Sequence, residues 1–431
     1  MTLSTQPYKG ARDFYPEDKQ RQDYMFNTIR NVVKKHGYSE YDAPVLEPLD
    51  LYLAKTGEEI VNEQVYNFTD RGGRAVAIRP EMTPTVSRMV AARRQELSYP
   101  LRWFSIPNLW RYERPQRGRL REHWQLNVDI FGDSNVSAEF EVLAVVRDLF
   151  AGFGATPDMY RIKINSRIVI NALMSDYLEL DEAKAHRMIK LIDKMHKMSP
   201  EAFKDLVQEI CEDDHLTKRT IEMLTITSLN DLPKEVKNLP SIESMKELGR
   251  LLQASGITNV DFDISLMRGF DYYTDIVFEV ADTNPENNRS MFGGGRYDGL
   301  VGLFGVEPVP TVGFGMGDVT LANFLESNNL MPAFKNETDL VIVTIGDVYS
   351  GAANLANQLR TQNLNVSIDG TGRKIDKKIK SASKQGIKYA LFVGQDELNS
   401  GEFSLKNLET GEEAKFAVEQ IPQQISAPKT A

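Results

Sequence analysis

The order of helical and strand-like segments is the feature that most restricts the fold of this chain of 431 residues. After an opening amphipathic helix, residues 1–165 carry mainly short strand-like runs, whereas residues 166–251 have helical periodicity. Strand-like runs return at VDFDISLMRG and YYTDIVFEV, and GGGRYDGL predicts a glycine-rich turn followed by a short helix. We therefore predict an α+β core with an antiparallel sheet, interrupted by a helical insertion.

A second pattern begins after residue 337. The strand-like runs DLVIVTIGD, NVSIDG and YALFVGQ alternate with two helical stretches, which is typical of βαβ units around a small, mostly parallel sheet. We expect a core over residues 1–330, interrupted by the insertion at 166–251, then a linker over 331–337 and an α/β domain over 338–431. At roughly 150 residues per domain, the length fits two or three domains.

Composition excludes several classes of protein. Hydrophobic residues make up 41% and charged residues 26%, which excludes an intrinsically disordered chain. No apolar run approaches the roughly 18 residues of a membrane span, so no membrane partner is expected. The N-terminus lacks the apolar core of a signal peptide, which predicts a cytoplasmic protein. A single cysteine and five histidines without ligand spacing predict neither a disulfide nor a metal site.

The formal net charge of −10 argues against a protein that coats nucleic acid by bulk charge. It leaves room for a local basic surface. The basic run RKIDKKIK at residues 373–380 lies on a predicted helix of the C-terminal domain. This run is either a solvated helix face or a local contact with RNA.

The densest cluster of chemically informative residues is NLWRYERPQRGRLREHWQLNVDIFG at residues 108–132. Two strand-like runs flank a loop, as in a hairpin, and five arginines fall within 11 residues, at positions 111, 114, 117, 119 and 121. Guanidinium groups bind phosphate bidentately, so the hairpin fits a triphosphate, with a solvated basic hairpin as the alternative. Period-two alternation places Gln125, Asn127 and Asp129 on one face of the outgoing strand and the intervening apolar residues on the other.

LMRGFDYY at residues 266–273 places an arginine at the end of an apolar strand, where a charge needs a partner or a ligand. Arg268 therefore either meets an anionic ligand or forms an ion pair with Asp271. Tyr272 and Tyr273 are expected on opposite faces of the strand. The three glycines of MFGGGRYDGL permit close approach to a ligand or simply form a loop, and no Gly-Lys-Ser/Thr follows them as in a phosphate P-loop.

AIRPEMTPT at residues 77–85 predicts a strand followed by a helix. Thr83 is expected as the N-cap of that helix, with Pro84 in its first turn. The carboxylate of Glu81 and the hydroxyl of Thr83 together suit a ligand ammonium group, and an ordinary capping region is the alternative.

Taken together, these segments resemble class II aminoacyl-tRNA synthetases, and specifically the histidyl-tRNA synthetase family. KGARDFYPED resembles the family's N-terminal signature, RYERPQRGRLREHWQ its motif 2, and LMRGFDYY and FGGGRYDGL its two histidine-specific peptides. The resemblance covers essentially the whole chain. It implies a class II catalytic core with an antiparallel sheet, a helical insertion and a C-terminal anticodon-binding domain.

The resemblance also implies an activity and a set of partners. The expected reaction is ATP-dependent ligation of L-histidine to tRNA(His) through histidyl-adenylate, releasing pyrophosphate and AMP. ATP acts with Mg²⁺, no tightly bound cofactor is expected, and the family is homodimeric.

The alternative is the catalytically inert, histidine-sensing regulatory subunit of ATP phosphoribosyltransferase, which resembles the synthetase core. Such subunits lack the anticodon domain and typically lose the catalytic arginine, whereas this chain has residues 338–421 and Arg268. A third hypothesis, an RNA-binding module that uses no nucleotide, leaves the clusters of the core unexplained.

For histidine, the resemblance implies the binding residues Glu81, Thr83, Gln125, Asp129, Arg268, Tyr272 and Tyr273. The α-ammonium group would be held by Glu81, Thr83 and Gln125. The two imidazole nitrogens would bond Asp129 and Tyr273, a pairing that rejects isosteres without those N–H groups.

For ATP, the resemblance implies the residues Arg111, Glu113, Arg119 and His123. They would bind the α-phosphate, the adenine amino group, the outer phosphates and the adenine ring, in that order. Arg268 and Arg111 are the implied catalytic pair, because both would meet the α-phosphate as the histidine carboxylate attacks. Two places depart from the family: His123 stands at the place of the family's aromatic residue under adenine, and a segment of motif 3 differs. GFGMGDVTL has Thr320 where motif 3 usually has an arginine that covers adenine and the outer phosphates.

Overall fold

The structure is a computed structural model that describes residues 3–53, 64–267, 272–287 and 290–426. It divides into two compact units, Met1–Pro332 and Ala333–Ala431. In the described ranges no helix combines the length and apolar character needed to cross a membrane.

The first unit contains most of the secondary structure. Its strands are β1 Ser39–Glu40, β2 Leu46–Pro48, β3 Tyr66–Thr69, β4 Ala75–Ile78, β5 Leu101–Ser105, β6 Asn108–Trp110, β7 Glu122–Phe131, β8 Tyr160–Ser166, β9 Val260–Phe262, β10 Ile276–Asp282, β11 Ser290–Arg296 and β12 Thr311–Gly317. Its helices are α1 Pro16–Lys35, α2 Asp50–Leu53, α3 Thr83–Ala92, α4 Ser137–Gly152, α5 Arg167–Ala172, α6 Glu182–Ile192, α7 Pro200–Cys211, α8 Asp214–Met223, α9 Pro240–Ala254 and α10 Asp318–Ser327.

The main sheet of this unit has the strand order β1-β5-β7-β12-β11-β10-β8-β9, and β6 pairs with the start of β7. The inner strands pair antiparallel, whereas the outer pairs β1–β5 and β8–β9 are parallel. A separate three-stranded sheet has the order β2-β4-β3. The predicted α+β core built on an antiparallel sheet is confirmed.

Strand β7 lies near the centre of the main sheet and has the predicted alternation. The even-numbered residues from Leu126 to Ile130 are buried in an apolar core shared with residues of α1 and α4. The odd-numbered residues from Gln125 to Asp129 lie on the opposite face, where their partners on β12 are the glycines 313, 315 and 317. One face of the sheet is therefore covered by helices, and the other carries the polar residues of β7.

Between β8 and β9 the chain forms helices α5 to α9. Several of these helices begin where a side chain satisfies an unpaired N–H of the first turn: Asp181 caps α6, Ser199 caps α7 and Asp213 caps α8. Apolar side chains such as Met188 and Val207 belong to the same contiguous core as the back of the sheet. The insertion is therefore packed onto the core of the first unit.

The strand predicted over VDFDISLMRG is too long. Strand β9 ends at Phe262, and the chain up to Met267 forms a turn. Asp263 holds this turn, because it accepts hydrogen bonds from the N–H and hydroxyl of Ser265 and pairs with Lys163 at 2.8 Å. An aspartate that binds the backbone two residues ahead favours a turn over continued sheet pairing.

Up to residue 426, the last that the structure describes, the second unit has a five-stranded sheet and four helices. Its strands are β13 Leu340–Thr344, β14 Val366–Asp369, β15 Tyr389–Val393, β16 Glu402–Asn407 and β17 Glu413–Ala417, and its helices are α11 Tyr349–Thr361, α12 Ile375–Lys384, α13 Gln395–Ser400 and α14 Ile421–Ser426. The strand order is β14-β13-β15-β16-β17. Strand β13 is parallel to both of its neighbours, which confirms the predicted βαβ units. The prediction of a mostly parallel sheet is wrong in extent, because β16 and β17 add an antiparallel hairpin.

The basic run at 373–380 is not a uniform surface. Lys378 is 3% exposed, and its ammonium group donates to the carbonyls of Thr344 and Asp369 at 2.9 and 3.0 Å. It therefore joins the ends of two parallel strands. The exposed lysines of the run, such as Lys377 and Lys380, are the ones that a nucleic acid can reach.

Candidate active site

Glycines line the polar face of the main sheet beside β7. Gly313 of β12 pairs with Asp129, and Gly315 pairs with Asn127. A Cβ built on Gly313 would overlap the carboxylate of Asp129, and one on Gly315 would overlap the amide of Gln125. This stretch of β12 therefore presents backbone to the site, and the polar side chains of β7 lie over it.

The three glycines of GGGRYDGL also belong to the sheet. Gly293, Gly294 and Gly295 lie within β11, so the predicted glycine-rich turn is wrong. A Cβ on Gly293 would lie 2.7 Å from the carbonyl oxygen of Phe278, and one on Gly295 would lie 2.6 Å from that of Ile276. Side chains are excluded here by the neighbouring backbone, a constraint that propensity alone does not reveal.

Asp129 is the most buried acid on the polar face of β7. It is 3% exposed, and Tyr297 donates its hydroxyl to Oδ1. Burial raises the pKa of Asp129 to about 7, and the hydrogen bond from Tyr297 acts in the opposite direction. Oδ2 has no hydrogen-bond partner among the residues that the structure describes. Asp129 therefore has one oxygen fixed by the protein and one available for a ligand.

Tyr297 was not predicted as a site residue. Its ring packs at 5.5 Å from that of Tyr272 and at 6.3 Å from that of Tyr273, measured between centroids. The rings of Tyr272 and Tyr273 are 5.0 Å apart, so the prediction that they occupy opposite faces is wrong. They precede β10 rather than lying in it, so strand alternation does not apply. The only sequence signal for Tyr297 is its place in the same peptide as the three glycines.

Glu81 closes the other side of this aromatic group. It is 2% exposed, and Tyr272 donates its hydroxyl to Oε2 at 3.2 Å. A second hydrogen bond links Tyr272 to the hydroxyl of Thr83. The nearby acids Glu81 and Asp129 both act, together with burial, to raise the pKa of Tyr273. The structure thus brings together Glu81, Thr83, Asp129 and the two tyrosines, all of which were predicted as site residues from the sequence.

Thr83 is the first residue of α3 rather than its N-cap, so that prediction is wrong by one position. The cap position is Met82, and no side chain caps the helix, since a thioether is only a weak acceptor. Pro84 lies in the first turn, as predicted. Arg79 is directed elsewhere: it donates to the carbonyl of Ala43 at 2.6 Å and acts structurally.

The arginine-rich segment forms the predicted hairpin. Strand β6 pairs antiparallel with the start of β7, and the N–H of Arg111 donates to the carbonyl of Arg121 at 2.9 Å. Arg111 is half-buried and donates from Nε to the carbonyl of Pro80 at 2.8 Å, which orients its guanidinium. Arg119 is exposed, with Nη1 3.9 Å from Oε2 of Glu113.

The five arginines of the hairpin have different surroundings. The guanidinium of Arg121 lies 3.9 Å from the ring centroid of Tyr112 and donates to the carbonyl of Glu113 at 3.1 Å. Arg117 donates to the carbonyl of Glu286 at 3.1 Å. Arg121 therefore fixes the base of the hairpin, and Arg119 leaves its guanidinium more open to a ligand.

His123 lies two residues before Gln125, on the polar face of β7. Desolvation, reinforced by the positive charges of Arg111 and Arg12, lowers the pKa of His123 to about 3. The imidazole is therefore neutral at pH 7. Arg268, together with Asp271, lies outside the described residues.

In the described residues, a nine-stranded, largely antiparallel sheet carries an arginine hairpin at the start of its central polar strand, as the resemblance to class II aminoacyl-tRNA synthetases implies. The family model "Histidyl-tRNA synthetase" matches residues 10–319, and "Anticodon binding domain" matches residues 339–427. The chain therefore belongs to the histidyl-tRNA synthetase family.

Individual proteins agree with this assignment. The chain is 43% identical over 429 residues to a histidine–tRNA ligase of Leptospira biflexa, covering 98% of both chains. It is 35% identical over 410 residues to the ligase of Thermoplasma volcanium, covering 94% of both. The fold is similar to that of histidyl-tRNA synthetase from Nostoc sp. PCC 7120, with a TM-score of 0.82 at 22% identity and coverage of 98% and 99%.

Proposed function

We propose that the protein ligates L-histidine to tRNA(His) in two steps. ATP first converts histidine to histidyl-adenylate with release of pyrophosphate, and the histidyl group then passes to tRNA with release of AMP. The observation that carries the proposal is the arrangement along β7. Buried Asp129 lies on β7, and Arg111 lies in the hairpin that leads into the start of β7, where its N–H bonds the carbonyl of Arg121, so an amino acid and a triphosphate can meet between them.

The acid pocket fits histidine. Asp129 uses one oxygen for Tyr297 and offers the other to an imidazole N–H, while Tyr273 offers a hydroxyl to the second nitrogen. Glu81 and Thr83, with Gln125, are the acceptors for the α-ammonium group. A side chain without an N–H at the matching place would leave buried Asp129 unpaired, which costs about 1–3 kcal/mol or more for a charged group. This penalty supplies the specificity.

The hairpin fits ATP. Arg111, oriented by Pro80, binds the α-phosphate, and exposed Arg119 binds the outer phosphates once it leaves Glu113. Glu113 then accepts from the adenine amino group. The neutral ring of His123 offers a flat surface to the base.

Adenylate formation needs positioning and charge stabilisation. The carboxylate oxygen of histidine attacks the α-phosphorus in line, and the bond to the bridging oxygen breaks so that pyrophosphate leaves with the electron pair. We assign Arg268 to bridge the histidine carboxylate and the α-phosphate, with Arg111 on the same phosphate. Both cations stabilise the charge that develops on the phosphoryl oxygens.

Mg²⁺ is expected to enter with ATP. In the described ranges, no three side chains of His, Cys, Asp or Glu are grouped so as to hold a metal ion. Mg²⁺ is commonly bound by substrate phosphates and only one or two carboxylates, so it does not need such a group of side chains.

We assign residues 1–330 to the catalytic core, 166–251 within it to the insertion, 331–337 to a linker and 338–431 to anticodon binding. The regulatory-subunit alternative is weaker, because the anticodon-binding model matches residues 339–427. We place this activity in the cytoplasm, where a charged tRNA is used by the ribosome.

We also propose a homodimer formed through the region of β2 to β4. Apolar side chains are exposed on and beside this three-stranded sheet: Val45 at 47%, Leu46 at 49%, Leu53 at 50% and Phe68 at 48%. Apolar surface of this kind is what a partner subunit can cover. Light scattering after size exclusion should give twice the chain mass of 48.8 kDa. A single-chain mass at micromolar concentration would contradict the dimer.

The decisive assay is histidine-dependent exchange of pyrophosphate into ATP, run against all twenty amino acids. Exchange with histidine alone is expected. Arg268→Ala should abolish exchange while circular dichroism and the unfolding temperature stay close to those of the wild type. Absence of exchange with every amino acid would overturn the ligase assignment. Global unfolding of Arg268→Ala would instead support a structural ion pair.

A further inference from the structure

Position 320, in the first turn of α10, has no cation. The hydroxyl of Thr320 donates to the carbonyl of Gly317 at 3.0 Å, within its own helix end. A Cβ on Gly118 of the hairpin loop would lie 3.7 Å from the methyl group of Thr320. The helix start therefore faces the hairpin with a short neutral side chain.

Two residues earlier, the same turn carries a buried acid. Asp318 is 4% exposed. Its Oδ1 accepts a hydrogen bond from the N–H of Trp124 at 2.9 Å, and its Oδ2 accepts one from Nη2 of Arg12 at 2.7 Å. Burial raises the pKa of Asp318, and the charge of Arg12 is the largest influence that opposes it. A buried carboxylate of this kind requires its counter-ion. Asp318 therefore brings Arg12 to the start of α10.

The guanidinium of Arg12 retains unused hydrogen-bonding capacity. It lies 5.0 Å from the ring centroid of Phe14 and 5.8 Å from that of Trp124. Nη2 is its only nitrogen with a hydrogen-bond partner in the described part of the chain, and Nε is buried without one. The side chain is 27% exposed. The ion pair and the two aromatic rings thus hold the guanidinium of Arg12 in place, and several of its N–H groups remain available as hydrogen-bond donors.

The segment that carries Arg12 runs beside the nucleotide end of β7. The carbonyl of Gly10 accepts the N–H groups of Arg121 and Glu122 at 2.9 and 3.1 Å, immediately before His123. The positive charge of Arg12 also contributes to lowering the pKa of the His123 imidazole. Arg12 therefore belongs to the same end of the site as the residues assigned to adenine.

We propose that Arg12 is an ATP-binding residue at the adenine end of the site, held there by Asp318, and that it replaces an arginine at position 320. A planar guanidinium packs against a purine as it does against the ring of Phe14, and its N–H groups can reach phosphate oxygens. The inference rests on the proposed ligase function and names one further residue of its ATP site.

The test compares the KM values for ATP and histidine in the exchange assay, using the full chain. Wild-type exchange is measured first, since its absence would defeat the ligase proposal and not this inference. Arg12→Met should raise the KM for ATP about tenfold, as expected for a lost cation–π contact in a desolvated site. The KM for histidine should stay near its wild-type value.

Rescue separates ATP binding from a structural role. Arg12→Met combined with Thr320→Arg should return the KM for ATP toward the wild-type value, because the cation is restored from α10. Arg21→Met is the matched control: it also breaks a link to α10, the 3.3 Å contact with Glu326, but at an exposed position. It should leave both KM values unchanged.

Two results would overturn the inference. One is an unchanged KM for ATP in folded Arg12→Met. The other is an equal rise in both KM values, with a lower unfolding temperature and no rescue by Thr320→Arg. If Arg12→Met does not fold, Asp318→Asn decides: it keeps an acceptor for Trp124 but loses the charge that holds Arg12. A selective rise in the KM for ATP supports the inference, and no rise refutes it.

Discussion

Ionisation of Asp129 should lower the free energy of unfolding of the free protein. The variant Asp129→Asn should avoid this loss, so its stability relative to the wild type should increase with pH. The pKa of Asp129 is raised from 3.8 to about 7 by burial. Between these two values the unfolded chain has lost the proton and the folded protein still holds it. The free energy of unfolding of the wild type therefore falls as the pH rises, by about 1.4 kcal/mol for each pH unit.

Asparagine at this position does not titrate. From pH 5 to pH 7, the stability of Asp129→Asn relative to the wild type should therefore increase by about 2 kcal/mol, and the difference should level off above pH 7. Any constant effect of the amide, such as a weaker bond from Tyr297, cancels in this comparison. Asp129 is 3% exposed, so solvent screening does not reduce the expected effect.

Urea unfolding followed by tryptophan fluorescence is the appropriate assay. All three tryptophans, Trp103, Trp110 and Trp124, lie in the first unit, so the signal reports on the part of the chain that contains Asp129. The two proteins are compared at pH 5, 6, 7 and 8. A companion variant, Tyr297→Phe, removes the donor that lowers the pKa of Asp129 and should extend the pH dependence above pH 7. A stability difference that is constant with pH, or that shrinks as the pH rises, would refute the reasoning.

Three further predictions concern other residues and other measurements. Asp129→Ala should raise the KM for histidine far more than the KM for ATP in the exchange assay, and equal rises would contradict its proposed imidazole role. Lys377→Glu with Lys380→Glu should weaken binding of tRNA(His) and make it less salt-dependent, without changing exchange; unaltered binding would exclude this surface. Lys378→Met should destabilise the second unit by about 1–3 kcal/mol in calorimetry, because the carbonyls of Thr344 and Asp369 lose their donor, whereas exposed Lys377→Met should not.

Much of the fold could be predicted because its signals are local. The two-residue alternation from Gln125 to Ile130 gave the correct faces of β7, and the arginine hairpin and the βαβ units follow from short-range patterns. The register between strands carries no such signal. Gly293 to Gly295 look like a turn in the sequence, and only the neighbouring backbone at Phe278 and Ile276 explains why glycines fill a strand.

The missed part of the site depends on contacts between distant segments. Tyr297 meets Asp129 across 168 positions of the chain, and Arg12 meets Asp318 across 306. No spacing rule connects such pairs, because the fold alone brings them together. The opposite error occurred at Lys378, where a run of basic residues predicted a surface and one member proved to be buried.

The glycines of β11 and β12 also limit which substitutions could make this protein resistant to an inhibitor. A compound lying flat on Gly313 and Gly315 would contact peptide groups, which no single substitution can remove. Any larger residue at those positions would enter the space of Asp129 or Gln125 and so damage the proposed histidine pocket together with the compound's own site. Resistance to such a compound would have to arise at the periphery, for example among the arginines of the hairpin.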